Sequence, residues 1–208
     1  MKIICFKLGD LQANSYLLYQ GNDCILIDPA DDASFLLEEI QRRNLKLRGM
    51  LATHGHFDHV MAVGEIQMSI NVPLFIHHED EFLIKRLGTT AKHFLGYEPV
   101  VILPTNISFI KEGPLRIVPA CRQGKDFKLR IIETPGHTPG GLSFYFPDEQ
   151  VVFTGDTLFA GSIGRTDLSY SNKSDLRDSL TKLFKLSDET IVYSGHGSET
   201  TIFDEKQS

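Results

Sequence analysis

The stretch THGHFDH at residues 53–59 constrains this chain more than any other part of its sequence. It carries three of the chain's eight histidines and follows a short apolar segment, residues 49–52, that is typical of a strand. His54, His56 and Asp58 are spaced two apart, and in an extended chain such residues project to the same side. A solvated polar turn is the alternative interpretation. The density of imidazole and carboxylate groups favours a metal-binding loop at a strand end.

This stretch holds too many candidate ligands for one ion. A catalytic transition-metal ion takes about four ligands, of which one is often water. With His59 at the start of a predicted helix, the stretch offers four such side chains in six positions, which could not all reach one ion without strain. We therefore expect a dinuclear site with a bridging carboxylate and with ligands from later, glycine-flanked segments. These segments carry His137, Asp156 and His196. The remaining histidines, His77, His78 and His93, are interpreted as surface or substrate-pocket residues.

The composition is that of a soluble globular protein, with 41% hydrophobic and 23% charged residues. A net charge of −6 argues against a general nucleic-acid binder, but it does not exclude a local basic pocket. No apolar run approaches the roughly 18–20 residues of a membrane span, and no signal peptide opens the chain. The cysteines Cys5, Cys24 and Cys121 form no C-x-x-C pair and are interpreted as small buried hydrophobic residues in a reducing compartment. We expect one domain over residues 1–208 and a cytoplasmic location.

Strands and helices alternate in an order that predicts sheets with helices packed outside them. Helices are predicted at residues 34–43, 60–70, 78–87 and 174–184. Short runs rich in β-branched and aromatic residues predict strands. These runs lie at residues 2–8, 14–19, 24–27, 49–52, 73–77, 107–110, 115–118, 128–133, 141–145, 151–154 and 190–193. Residues 88–104 lack such a pattern and are predicted to form a loop or lid.

Four blocks of the sequence, THGHFDH, PGHTPG, GDTLF and GHG, occur in an order that resembles the metallo-β-lactamase superfamily. They extend along nearly the whole chain, and all four in order form a far more specific signal than any one of them. The resemblance implies an α+β fold. This fold is a four-layer αββα sandwich in which two mixed β-sheets pack together and helices cover their outer faces. It also implies a single hydrolase domain.

Within the superfamily, GDTLFAGSIGRTDL and YSGHGSETTI are most similar to the glyoxalase II, or hydroxyacylglutathione hydrolase, branch in its compact bacterial type. Persulfide dioxygenases are similar in the same G-R-T-D stretch, where we interpret Arg165 and Asp167 as loop-shaping residues. Full-length glyoxalase II enzymes continue into a helical extension that helps to hold glutathione. Only about a dozen residues follow His196 here, so we expect no such extension and leave the thiol carrier open.

The resemblance implies a role for each candidate ligand. It places His54, His56 and His137 on the first metal, Asp58, His59 and His196 on the second, and Asp156 as a bridge between them. Asp58 and Asp156 are also the catalytic candidates, because their carboxylates can hold or deprotonate the attacking water. For Asp28, which ends an early strand, two roles stay open: it orients a ligand histidine through the other ring nitrogen of that histidine, or it only caps the strand end. The implied cofactors are two divalent ions, with zinc expected first and iron or manganese open.

The implied activity is hydrolysis of S-lactoylglutathione or a related thioester by a hydroxide shared between the two ions. The second hypothesis is a persulfide dioxygenase with a single iron ion. The positions that bind iron in those enzymes correspond to His54, His137 and Asp156 here. A superfamily hydrolase of lactams, lactones or phosphodiesters, nucleic acids included, ranks third, and a non-catalytic metal-binding protein ranks last. We expect a small-molecule thioester rather than a nucleic acid as the partner, no membrane, and a monomer or homodimer.

Overall fold

Two six-stranded β-sheets form the centre of the structure, a computed structural model that describes residues 1–118 and 126–207. In spatial order, the first sheet contains β1 (Lys2–Leu8), β2 (Ala13–Gln20), β3 (Asp23–Ile27), β4 (Lys46–Leu51), β5 (Leu74–Ile76) and β6 (Ile107–Phe109). Neighbours are antiparallel from β1 to β3 and parallel from β3 to β6. Every residue of β3 is buried, as expected for an inner strand that is covered on both faces.

The second sheet is also mixed. Its strands in chain order are β7 (Gly113–Ile117), β8 (Phe127–Glu133), β9 (Leu142–Phe146), β10 (Val151–Gly155), β13 (Ile191–Ser194) and β14 (Thr200–Thr201). Between β10 and β13, β11 (Leu158–Phe159) and β12 (Ser162–Ile163) form a separate small hairpin. The spatial order is β14-β13-β10-β9-β8-β7, and the β10–β13 pair is parallel whereas the other neighbours are antiparallel. Two mixed sheets were predicted, and the structure confirms them.

The inner faces of the two sheets pack together around aromatic side chains. Tyr16 of β2 lies edge-on to Phe153 of β10 with ring centroids 5.0 Å apart, and Phe153 stacks on Tyr193 of β13. Alternate residues of each strand enter this interface, because successive side chains point to opposite faces of a sheet. The other buried members of this core are Leu18, Ile25, Ile27, Leu51, Ile117, Phe127, Leu129, Ile131, Leu142, Phe144, Phe146 and Val151.

Helices cover both outer faces, which confirms the predicted four-layer αββα sandwich. The first sheet is covered by α1 (Ala33–Arg42), α2 (Phe57–Val60), α3 (Val63–Ser69), α4 (Glu81–Ile84) and α5 (Leu87–Leu95). The second sheet is covered by α6 (Lys173–Leu183) and α7 (Ile202–Gln207). Leu36 of α1 shares a buried apolar cluster with Leu17 of β2, and Leu183 of α6 shares another with Val152 of β10.

The helix predicted over residues 60–70 is two helices in the structure. The first, α2, begins at Phe57 inside the histidine stretch, and α3 begins at Val63. Between them, the Ala62 N–H donates to the backbone oxygen of Pro29, 3.2 Å away. This tertiary hydrogen bond interrupts the helical ladder, in which each N–H would bond to the carbonyl four residues earlier. Local periodicity could not predict the break, because Pro29 lies far away along the chain.

Two further predictions in this half of the chain are wrong in part. Instead of one helix over residues 78–87, a 3₁₀ turn, His78–Asp80, precedes α4. Residues 88–104, predicted as a loop or lid, begin with most of α5. The segment LGTTAKHFL contains a glycine and two threonines, which have low helix propensity. Burial of Leu87 and Ala91 against the first sheet stabilises the helix instead.

The two cysteines that the structure describes are free thiols in different surroundings. Cys24 in β3 is buried, and burial raises its pKa to about 12. Cys5 is exposed because it lies on the edge strand β1, so the prediction of three buried cysteines is wrong for this residue. Cys121 lies outside the described residues. Within residues 1–118 and 126–207, no helix has the length and apolar character that crossing a bilayer would require.

Candidate metal centre

The predicted site residues lie where strands of both sheets end, at a common edge of the sandwich. In the first sheet, β3 ends just before Asp28 and β4 ends shortly before His54. In the second sheet, β10 ends just before Asp156 and β13 ends shortly before His196. Because β3 is parallel to β4 and β10 is parallel to β13, each pair carries its following residues to the same edge. His137 joins them from the connection between β8 and β9.

The three histidines predicted for the first metal face one another, and we call them the first group. Nδ1 of His56 lies 3.0 Å from Nε2 of His54 and 3.0 Å from Nε2 of His137. Burial, together with repulsion from neighbouring histidines, lowers the pKa of His54 well below its ordinary value and the pKa of His56 to about 3. These two imidazoles are therefore neutral near pH 7, and neutral imidazole is the form that binds metal.

Asp58, His59 and His196 form a second group beside the first. Asp58 Oδ2 lies 3.3 Å from His196 Nε2 and 3.7 Å from His59 Nε2. Asp156 lies between the groups, since its Oδ1 is 3.5 Å from His59 Nε2 and its Oδ2 is 3.6 Å from His137 Nε2. The structure thus brings all seven predicted ligands together, and the carboxylate of Asp156 lies next to both groups.

The second group carries charge, unlike His54 and His56. Burial by itself would lower the pKa of His59, but the carboxylates of Asp156, Asp58 and Asp28 outweigh it and raise that pKa to about 10. Burial by itself would raise the pKa of Asp58, but His59 and His196 hold it below its usual range. In the absence of metal, His59 is therefore an imidazolium ion surrounded by carboxylates.

Two buried polar atoms in this cluster, Nε2 of His59 and Oδ1 of Asp156, have no hydrogen-bond partner among the residues that the structure describes. Buried polar atoms are nearly always paired, and an unpaired one costs about 1–3 kcal/mol. A cation held between these two atoms would satisfy both. Next to them, a Cβ at Gly195 would overlap Asp156 Oδ1, so a larger residue does not fit there. Imidazole nitrogens and carboxylate oxygens bind zinc, iron and manganese, so the residues present fit divalent metal ions.

Four of the candidate ligands use their second ring nitrogen to contact another protein group, which fixes the ring orientation. His59 Nδ1 donates to Asp28 Oδ2 at 3.0 Å, and His137 Nδ1 donates to the backbone oxygen of Arg165 at 3.0 Å. The other two histidines contact hydroxyl groups. His54 Nδ1 lies 3.1 Å from Thr53 Oγ1, and His56 Nε2 lies 2.8 Å from Tyr170 Oη. The side chain of Arg165 turns away and forms an exposed ion pair with Asp167. Arg165 thus contacts the site through its backbone.

Asp28 is buried behind the second group and connects it to the end of β4. Its carboxylate accepts hydrogen bonds from both the N–H and the hydroxyl of Thr53, each at 2.7 Å, in addition to the one from His59. Its backbone adopts a left-handed conformation with φ of 49°, which costs a non-glycine residue roughly 1–2 kcal/mol. These contacts support the orienting role predicted for Asp28.

Three residues that contact the candidate ligands or the loops that carry them were missed by the sequence reasoning. Thr53 lies in the histidine stretch itself, but its spacing does not indicate which group its hydroxyl contacts. Tyr170 is half-buried and packs edge-on against Phe82, with ring centroids 5.4 Å apart. Asp80 is fully buried and bonds to the loops that carry the first group. The sequence contains no motif for Tyr170 or Asp80, because both reach the site through tertiary packing.

The other histidines stay apart from the two groups. His77, His78 and His93 belong to none of the candidate metal-binding groups within residues 1–118 and 126–207. His77 is nevertheless buried, contrary to a surface position, and its Nε2 lies 3.4 Å from Glu133 Oε1. It is buried because the 3₁₀ turn after β5 packs it towards the end of β8.

Known proteins are similar to this chain over its whole length. A sequence profile of the metallo-beta-lactamase superfamily matches residues 8–196. The hydroxyacylglutathione hydrolase GloC of Haemophilus influenzae is 35% identical over 211 residues, which cover 100% of this chain and 96% of that protein. The similarity therefore includes every segment that carries a candidate ligand.

Two solved structures have the same fold over nearly their full lengths. BLEG-1, a B3 metallo-beta-lactamase, superposes with a TM-score of 0.89 at 32% identity, and the match covers 100% of this chain and 97% of that chain. TTHA1623, solved in a di-iron-bound form, superposes with a TM-score of 0.87 at 35% identity, covering 98% and 97%. The four-layer fold, the matching profile and these relatives all indicate the same superfamily. The chain belongs to the metallo-β-lactamase superfamily of metallo-hydrolases.

Proposed function

We propose that this protein is a hydrolase that uses two divalent metal ions to cleave a thioester, with S-lactoylglutathione as the reference substrate. The observation that carries the proposal is the position of Asp156 between the group His54, His56 and His137 and the group Asp58, His59 and His196, which are two of the three overlapping candidate metal-binding groups. Two ion positions that share a ligand suit the dinuclear sites that hydrolyse esters and related bonds. The similarity to GloC, a protein named hydroxyacylglutathione hydrolase, supports a thioester as the substrate.

Each ion has its own ligands in this proposal. His54, His56 and His137 would hold one ion, Asp58, His59 and His196 would hold the other, and Asp156 lies between the two groups. Zinc is our first expectation and iron or manganese stay open, because mixed nitrogen and oxygen ligands accept all three. Two divalent ions in such a site supply Lewis-acid polarisation of the carbonyl and a lowered pKa for the attacking water.

The carboxylates of the chain position the water and its proton. Despite burial, His59 and His196 keep Asp58 ionised, so its Oδ2 is available to accept a hydrogen bond or a proton from the water. Asp156 presents one oxygen to each group and restricts the water to the space between them. As the new C–O bond forms, the C–S bond breaks and a thiolate leaves. Since a thiolate is a good leaving group, the reaction requires no dedicated general acid.

The setting that we propose follows from the same chemistry. The partner is a small-molecule thioester, and the protein acts as a monomer or homodimer. We place it in a reducing compartment, the cytoplasm, because Cys5 and Cys24 are free thiols and such thiols are typical of reducing compartments.

The test is an assay of the purified, zinc-loaded protein with S-lactoylglutathione, accompanied by elemental analysis. We expect thioester cleavage with two ions per chain, and loss of cleavage in His54→Ala. His78→Ala is the matched control, because this histidine is exposed and outside both groups. An inactive wild-type protein, or an equal rate for His54→Ala, would overturn the proposal. One iron per chain with oxygen uptake on glutathione persulfide would instead assign the dioxygenase activity.

A β-lactam is the second candidate substrate. The observation that favours it is the close superposition on BLEG-1, a B3 metallo-beta-lactamase, along both chains. An amide nitrogen leaves less readily than a thiolate, so lactam cleavage also requires a proton to be delivered to the nitrogen. Values of kcat/KM for S-lactoylglutathione and for a chromogenic cephalosporin, measured on one preparation, rank the two candidates.

A further inference from the structure

Asp80 is a buried carboxylate that the reaction described above does not use. It ends the 3₁₀ turn after β5, and its relative exposure is 0%. Its Oδ2 accepts hydrogen bonds from the Gly55 N–H and the Thr138 hydroxyl, both at 2.8 Å, and its Oδ1 accepts one from the Gly140 N–H at 2.7 Å. Both carboxylate oxygens are therefore occupied by donors from two loops that are distant along the chain.

These two loops carry the whole first group. Gly55 separates His54 from His56, in the loop that follows β4 of the first sheet. Thr138 directly follows His137, in the connection between β8 and β9 of the second sheet. The hydrogen bonds of Asp80 thus join the two sheets at the point where their ligands must meet.

Close packing reinforces this connection. A Cβ at Gly55 would lie 2.9 Å from the backbone oxygen of Asp80, and a Cβ at Gly140 would lie 2.8 Å from its Cγ. Both loop backbones therefore rest directly against Asp80, with no space for a larger residue. The position of the carboxylate sets the distance between the loops.

We propose that Asp80 is a positioning residue that holds the two loops of the first group together and thereby sets the affinity of His54, His56 and His137 for a divalent cation. This inference rests on the dinuclear site of the proposed function. Asparagine at this position would turn an amide NH₂ towards a backbone N–H donor and lose at least one of the three hydrogen bonds. Loss of a group that orients metal ligands typically weakens metal binding by about 10–100-fold. The second group should not be affected, because Asp58 and His59 lie in α2 and His196 follows β13, whereas the hydrogen bonds of Asp80 come from Gly55, Thr138 and Gly140.

The test measures zinc affinity by competition with a chromophoric chelator in two backgrounds. His196→Ala removes a ligand of the second group and reports on the first, whereas His56→Ala reports on the second. We expect Asp80→Asn to weaken zinc binding about 10–100-fold in the His196→Ala background and to leave it unchanged in the His56→Ala background. An equal loss in both backgrounds would identify a general structural role and overturn the proposal. Unchanged affinity in the His196→Ala background would overturn it as well.

Two further variants make the result specific. Thr138→Val removes one of the three donors with little change in volume and should produce a smaller loss, confined to the same background. Asp23→Asn is the matched control, since Asp23 is another buried carboxylate but pairs with Arg48 at the far end of β3. It should change zinc affinity in neither background. The titrations contain no substrate, so they distinguish failure of this proposal from failure of thioester cleavage.

Discussion

The two candidate ligand groups lie side by side, yet the protein holds them differently. The first group consists of histidines whose outer contacts are uncharged, namely two hydroxyl groups and a backbone oxygen. In the second group, His59 lies among three carboxylates, those of Asp28, Asp58 and Asp156. Burial therefore dominates the pKa of His54 and His56, whereas charge dominates that of His59.

This difference implies two modes of metal binding in one site. A neutral group can accept a cation directly, whereas a protonated histidine must release its proton before it coordinates. The three carboxylates around His59 attract the cation and thereby compensate for the cost of releasing this proton. We therefore expect the two positions to differ in affinity and in pH dependence. The following predictions test that comparison, from the largest expected effect to the smallest.

Asp156→Ala should have the largest effect, because Asp156 faces both groups. We expect zinc binding to weaken about 100-fold or more at both positions and thioester cleavage to be lost. His196→Ala is the comparison variant and should impair the second position alone. Elemental analysis and chelator competition measure the outcome. If Asp156→Ala still bound two ions with wild-type affinity, the shared ligand would be disproved.

The second-largest effect should be a difference between the two groups in the pH dependence of their zinc affinity. Three carboxylates outweigh burial and raise the pKa of His59 to about 10, so below that pH the metal must displace a proton. In His56→Ala, which retains the second group, affinity should rise about tenfold per pH unit from pH 6.5 to about 10. In His196→Ala, which retains the first, it should change little, because the pKa of His56 is about 3. Equal slopes in the two variants would contradict this comparison.

Asp28→Asn should weaken the second position by an intermediate amount. The carboxylate of Asp28 accepts from both Thr53 and His59, and an amide cannot replace all of these contacts. We expect about 10–100-fold weaker zinc binding in the His56→Ala background. Asp23→Asn serves as the control for loss of a buried carboxylate. Unchanged zinc affinity would show that Asp28 does not orient His59.

Tyr170→Phe should have the smallest effect. The Tyr170 hydroxyl contacts His56 Nε2, but the side chain is half-buried, so water can replace the lost group. A single hydrogen bond is worth about 0.5–1.5 kcal/mol, which corresponds to a loss of about 2–10-fold. Zinc competition in the His196→Ala background measures this change. A loss of zinc affinity as large as that of Asp28→Asn would contradict the view that an uncharged group contributes less to metal binding than a carboxylate when it contacts the second ring nitrogen of a ligand histidine.

Local patterns predicted much of the fold and the identity of the candidate ligands. The run at residues 151–154 is followed by Gly155 and Asp156, so both the strand and the carboxylate after it could be recognised. The four-layer architecture followed from the resemblance of four ordered blocks, and the structure confirms it. Alternation and strand-end composition are properties of a few consecutive residues, which is why they can be read without tertiary information.

Tertiary contacts override local patterns where the predictions are wrong. The predicted helix after the histidine stretch breaks at Ala62 because its N–H bonds to Pro29. The unpatterned segment after Leu87 forms α5 because one of its faces packs against the first sheet. In both regions a contact with a distant segment outweighs intrinsic propensity, which is a weak preference of at most about 1 kcal/mol for most residues.

By itself, the sequence determined which side chains are the candidate ligands, because the imidazoles and carboxylates follow recognisable strands. It also determined that the histidine stretch offers more ligands than one ion can use. Only the tertiary structure decided what holds those ligands in place. Asp80 bonds to Gly55 and Thr138, and Tyr170 contacts His56, across long stretches of chain. Such hydrogen bonds exist only once the two sheets have packed and brought their strand ends to one edge.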